Sequence, residues 1–173
     1  MVTLRCSAKL LARLGIERRP PEPPPPDSVL GDWYATILFT RPCHLALCVS
    51  ERSHLFVVLE GRRLDTLVPR FLRRLDELLR EIGVPAAAID RELERTAEVA
   101  FGAATNRSAI AILNRAAWEL KLEFPLKSEL SVHDWSLEFA GRPCGKELRF
   151  PRDTARALLD PTSRFALLDG GLA

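Results

Sequence analysis

Val2, Leu4 and Cys6 alternate with Thr3 and Arg5, the two-residue period of a strand over 2–6. Ser7 is a helix-capping residue type, and Leu10, Leu11 and Leu14 follow at helical spacing up to Gly15, a residue suited to a left-handed helix end. Tyr34 to Thr40 is rich in β-branched and aromatic residues and predicts a strand. Arg41-Pro42 turns the chain, and a second strand over 44–50 places Leu45, Leu47 and Val49 on one face. A polar turn at 50–53 leads to a third strand over 55–60. Connections this short join antiparallel neighbours, so 34–60 predicts a meander.

The strongest periodicity comes next. Leu64, Leu67, Val68, Phe71, Leu72, Leu75, Leu78, Leu79 and Ile82 recur at three and four residues and predict a long amphipathic helix over 64–82. Arginines and acids of mixed sign fill its other face, which reads as solvated. A second helix is expected over 86–97 with Ile89 and Leu93 inward, then a strand within 97–104. Thr105 or Asn106 caps a helix to about 120, with Ile110, Leu113, Ala117 and Leu120 inward. Ser128 is the expected cap of a helix running to Ala140. A short strand at 147–150 and a helix from Pro151 to Leu159 close the pattern.

Between the first helix and the meander the pattern breaks. Six of the 13 prolines fall at Pro20, Pro21 and Pro23 to Pro26. Such a run favours polyproline II and serves either as a semi-rigid spacer or as a docking site for an aromatic groove, the spacer being the cheaper reading. The expected organisation is a strand–helix unit at 1–17, a Pro-rich linker at 18–29, a main body at 30–160 and a tail at 161–173. The fold class is α+β: an antiparallel sheet, made of the meander and the N-terminal strand, covered by two or three helices.

Composition narrows the functions. The chain has 173 residues, 47% hydrophobic and 28% charged, which is ordinary for one globular domain. A net charge of +2 is too balanced to announce a nucleic-acid binder. No secretory core and no apolar run long enough for a membrane span are present, so a cytoplasmic location and no membrane partner are expected. The four cysteines include no C-x-x-C pair and read as free thiols. Cys43, His44 and Cys48 are near in sequence, but Cys43 points away from the other two on a strand; no metal is expected, and no other cofactor.

Thr105-Asn106-Arg107-Ser108 is the most suggestive segment. Free N–H groups at a helix start, beside a guanidinium and a hydroxyl, make a candidate anion or polar-ligand site. Asn114 lies seven residues beyond Arg107 and so returns to nearly the same helix face. The plainer alternative is a helix cap with Arg107 paired to a carboxylate. Trp33 and Tyr34 are candidate aromatic contacts or core anchors. Glu92, Glu94 and Glu98 alternate with arginines and read as a solvated helix face. No P-loop and no nucleophile elbow occur.

Several segments come in a fixed order: LRC with K-L-L, the Pro-rich gap, LGDWYA, CVSERS, a helix ending in GVP, and T-N-R-S leading into a helix. In that order the chain, over roughly 2–120, resembles a group of small bacterial proteins classified only as a domain of unknown function. In that group the last helix carries a Gly and a Met-Asn-Asp run. Here Ala111, Leu113, Asn114 and Arg115 occupy that region, so the resemblance carries over Asn114 alone. It implies no activity. Three functions stay open. One is a non-catalytic binding or regulatory module with a protein partner or self-association, in a bacterial defence, mobile-element or toxin–antitoxin setting. The others are an arginine-based nucleic-acid binder and a small enzyme acting on a phosphate-bearing ligand at Arg107.

Overall fold

The structure, a computed structural model, describes residues 1–17, 20–41, 43–127, 129–145 and 147–160. Its strands are β1 Val2–Cys6, β2 Trp33–Leu38, β3 Leu45–Ser50, β4 Phe56–Glu60 and β5 Val99–Ala103. They form one sheet in the order β4-β3-β2-β1-β5. The meander is present: Ala35 stands opposite Cys48, and Leu47 opposite Val58, in antiparallel pairs. The purely antiparallel sheet is corrected. β1 runs parallel to both β2 and β5, so the sheet is mixed. The cause is connection length. The stretches before β2 and before β5 both contain helices, and such crossovers bring the chain back to start a parallel neighbour.

The helices are α1 Ala8–Leu14, α2 Leu67–Glu81, α3 Ala86–Thr96, α4 Arg107–Glu123, α5 Val132–Ala140 and α6 Pro151–Leu159. Six helices among the described residues replace the two or three expected, because both faces of the sheet are apolar and both need cover. α1 ends at Gly15 with φ 70, as its sequence predicts. The long amphipathic helix opens as a 3₁₀ turn at Leu64–Thr66 before α2 proper. Ser128 lies outside the described residues, as do Pro42 and the tail at 161–173. α5 is capped instead by Ser131, whose hydroxyl and the Asp134 carboxylate form a reciprocal capping box. The strand expected at 147–150 is reduced to one bridge between Cys144 and Arg149. Leu148 takes a left-handed φ of 50, which an extended strand cannot accommodate.

Strand alternation divides the core. Leu4, Cys6, Trp33, Ala35, Cys48 and Val57 pack with α1, α2, α3 and α6 on one face. Tyr34, Leu47, Val49 and Val58 pack with Leu113 and Leu120 of α4 and Trp135 and Phe139 of α5 on the other. The free edge of β4 is closed by α5, where Ser136 Oγ accepts the Val58 N–H at 2.9 Å.

On this second face α4 lies over β2 and β3. The Pro-rich segment lies over β1 and β5. Pro20, Pro23 and Pro26 are half-buried while the residues between them are exposed, a three-residue period that matches polyproline II. A side chain at Gly102 of β5 would come within 3.0 Å of Thr3 and 3.4 Å of Pro23, so glycine admits the segment onto the sheet. Its far end is pinned where the Asp27 N–H donates to the Met1 carbonyl at 3.0 Å.

Candidate functional site

β1 carries Arg5 on the second face, in a strand otherwise suited to the core. Burying a guanidinium demands partners. Arg5 Nε donates to Asp32 Oδ2 at 2.7 Å, and Arg5 Nη2 to Glu22 Oε1 at 2.8 Å. The other Asp32 oxygen accepts the Thr3 N–H at 3.1 Å. Asp32 enters from the turn just before β2, and Glu22 from the Pro-rich segment. Burial works against the charge on Arg5, but the bonds to Glu22 and Asp32 outweigh it and raise its pKa. Arg5 is 9% exposed and Asp32 2%, so the pair is a fixed internal part of the fold.

Around this pair lies a cavity of about 610 Å³, lined by Arg5, Glu22, Asp32, Tyr34, Glu51, Thr105, Asn106 and three prolines. A second cavity of about 550 Å³ shares Glu22 and Thr105 with it and extends to Ser7, Cys6, Pro20 and Asn114. Together they make one groove between the Pro-rich segment and α4, above the ends of β1 and β5. Asn106 shapes its wall. The Asn106 side-chain oxygen accepts the N–H groups of Ser108 and Ala109 as the cap of α4. The Asn106 Nδ2 donates to Glu51 Oε1 at 2.9 Å and holds that carboxylate at the groove. Burial, helped by the Glu51 charge, pushes the Tyr34 hydroxyl pKa up; hydrogen bonding by Asn106 and Thr105 and the charge of Arg5 oppose this.

The residues singled out from sequence therefore separate. Thr105, Asn106, Asn114 and Tyr34 line the groove. Ser108 lines a different cavity, with His54 and Cys144. Arg107 is exposed and lines none of the described cavities, so it does not face Asn114 across a shared pocket. Trp33 points to the opposite side of the sheet and packs edge-on against Phe71, with ring centroids 5.0 Å apart. Tyr34 and Trp33 are split by the alternation of the strand that carries both.

Arg5, Glu22, Asp32 and Glu51 were not singled out from sequence. Their signal was present: a charged residue at the centre of an apolar strand, and an acid immediately before one. Glu92, which by its spacing reads as part of a solvated face, is buried instead. Its carboxylate accepts Ser28 Oγ at 2.5 Å and the N–H groups of Val29 at 2.9 Å and Leu30 at 3.1 Å. A helical period does not reveal that a loop distant in sequence will supply donors.

Among the described residues, no histidine lines the groove. The one thiol there, Cys6, is pushed up to about 12 by burial and stays protonated.

Fold and site together define a small α+β domain with a mixed five-stranded sheet and a polar groove under a proline strap. Residues 3–154 match the family model DUF6933, a domain of unknown function, and the chain belongs to that family. No curated protein and no solved structure matches it. No helix among the described residues is long and apolar enough to cross a membrane.

Proposed function

We propose that the chain is a non-catalytic binding or regulatory module of a bacterial cytosolic system, and that the groove beneath the proline strap is its recognition site. One observation carries this reading. Side chains from LRC, GDWY, SERS and TNRS, segments far apart in sequence, converge with Glu22 on one cavity of about 610 Å³. An open groove that gathers a few fixed polar groups from separate segments can orient a ligand by those groups.

The lining supports binding over chemistry. Among the described residues, its basic group is neutralised by Asp32, its thiol is buried and protonated, and no imidazole lines it to activate a hydroxyl. Charge also argues against a phosphate ligand. Among the described residues, the first cavity is lined by three carboxylates, of Asp32, Glu22 and Glu51, and by one guanidinium, that of Arg5. A nucleic-acid role draws less support, because the α2 arginines Arg73, Arg74 and Arg80 are paired with acids on their own helix.

The test is native mass spectrometry of the intact chain purified gently from a bacterial host. The wild type is expected to carry a bound small molecule or partner that the double variant Thr105→Val/Asn114→Ala loses. Both side chains are exposed, so the fold should tolerate the change. Retention of the same adduct by the variant would refute the groove as the site.

A further inference from the structure

Arg5 has more hydrogen-bonding capacity than its neighbours use. A guanidinium presents five N–H donors. Nε serves Asp32 and Nη2 serves Glu22, but Nη1 is buried with no partner. Thr3 Oγ1, on the same strand, is also buried and unpartnered. Because Asp32 occupies Nε and Glu22 occupies Nη2 alone, the Nη1/Nη2 edge of the guanidinium keeps donor capacity that no neighbour uses. Two parallel N–H groups on that edge match the two oxygens of a carboxylate. Glu22 meets this edge with a single oxygen on a single nitrogen.

Glu22 is also the weakest member of the arrangement. Its side chain is 68% exposed, whereas that of Asp32 is 3% exposed. It stands on a segment held by packing and by the bond at Asp27, without a strand ladder. The pair is exposed on the Glu22 side only, so Glu22 can be exchanged for a competing carboxylate while Arg5 keeps an anionic partner. Across the same cavity stands Glu51. Its carboxylate accepts from Asn106, and among the described residues it makes no ion pair. The cavity thus offers a fork for an anion on one wall and an uncompensated carboxylate on another.

We propose that the groove, on the reading given above, takes an amino acid-like ligand. The ligand carboxylate replaces Glu22 on the Nη1/Nη2 edge of Arg5, and the ligand ammonium faces Glu51. Glu22 is then an internal stand-in that holds the strap down when no ligand is bound.

The experiment titrates the isotope-labelled full chain with each of the 20 free L-amino acids in turn, followed by amide chemical shifts. The N-acetyl and amide derivatives of the best binder are titrated next. An amino acid is expected to shift groove amides, and Glu22→Ala to bind it ~10-fold more tightly, equivalent to about 1.4 kcal/mol. The amide derivative, without a carboxylate, and the N-acetyl derivative, without an ammonium, should both bind at least ~10-fold more weakly. Equal binding of the amide derivative, or unchanged affinity in Glu22→Ala, overturns the role of Arg5. Equal binding of the N-acetyl derivative overturns the role of Glu51. If no amino acid binds either protein while a co-purifying molecule is still lost in Thr105→Val/Asn114→Ala, this inference fails and the groove reading stands. If that molecule too is retained by the variant, both fail.

Discussion

Replacing Glu92 by Ala should be among the most damaging single changes at a charged helix position, although sequence periodicity places it with solvated acids. Glu92 is 1% exposed and accepts three hydrogen bonds from the loop at 28–30. Truncation strands the Leu30 N–H, which is fully buried, at a cost of about 1–3 kcal/mol. The Val29 N–H is half-buried and adds about 1 kcal/mol, while the Ser28 hydroxyl can rotate towards another acceptor. The sum is about 2–4 kcal/mol. For a chain of this size that lowers Tm by roughly 5–15 °C. Glu92→Gln should cost about half as much, because its oxygen can still serve Ser28 and Leu30 while its amide nitrogen opposes the Val29 N–H. Urea unfolding followed by tryptophan fluorescence and circular dichroism would measure both, with the slope checked for constancy. The neighbouring exposed Glu94→Ala is the control and should stay within about 0.5 kcal/mol of wild type. If Glu92→Ala also stays within that limit, the loop is not held by this carboxylate and the reasoning fails.

Leu75, buried at the centre of the α2 face, should cost about 2–5 kcal/mol on truncation to Ala in the same titration, and a loss below about 1 kcal/mol would refute its packing against the sheet. Cys43 and Cys144, both partly exposed, should react with a thiol reagent in the native protein while the buried Cys6 and Cys48 wait for unfolding; burial raises the Cys144 pKa as well, so Cys144 should react slowly. Rapid labelling of all four cysteines would contradict this. Glu123 is held down to about 2 by hydrogen bonds from Arg142 and Lys127. Its stabilising contribution is therefore present above its usual value of 4.5 and lost as pH falls from there towards 2, amounting to about 1 kcal/mol after solvent screening. Glu123→Gln should flatten the stability profile in that window, and an unchanged acid limb would count against the network.

Much of this fold is legible in the sequence because local patterns decide it. The period-2 alternation of Val2, Leu4 and Cys6 and the helical stripe from Leu67 to Leu79 each report their own burial. Sheet order is not local. Nothing in the VTLRC segment says that it will sit between β2 and β5 and run parallel to both. That follows from where the crossovers place the next strands. The site was half legible for the same reason. Thr105, Asn106 and Asn114 lie on one helix start and its second turn, within reach of spacing arguments. Arg5, Asp32, Glu22 and Glu51 come from four separate segments, and only the folded chain brings them together. Arg107 drew notice as a charge beside a helix start, yet its side chain stays exposed and outside the groove.

The central claim is that the groove between the proline strap and α4 is where this protein recognises its ligand. Amide chemical-shift mapping of the full chain against the small-molecule fraction of a bacterial extract tests it most directly. The account predicts shifts concentrated at Arg5, Tyr34, Glu51, Thr105, Asn106 and Asn114, and absent in Thr105→Val/Asn114→Ala. Shifts confined to the His54–Cys144 cavity or to α2, with the groove amides unmoved, would contradict it.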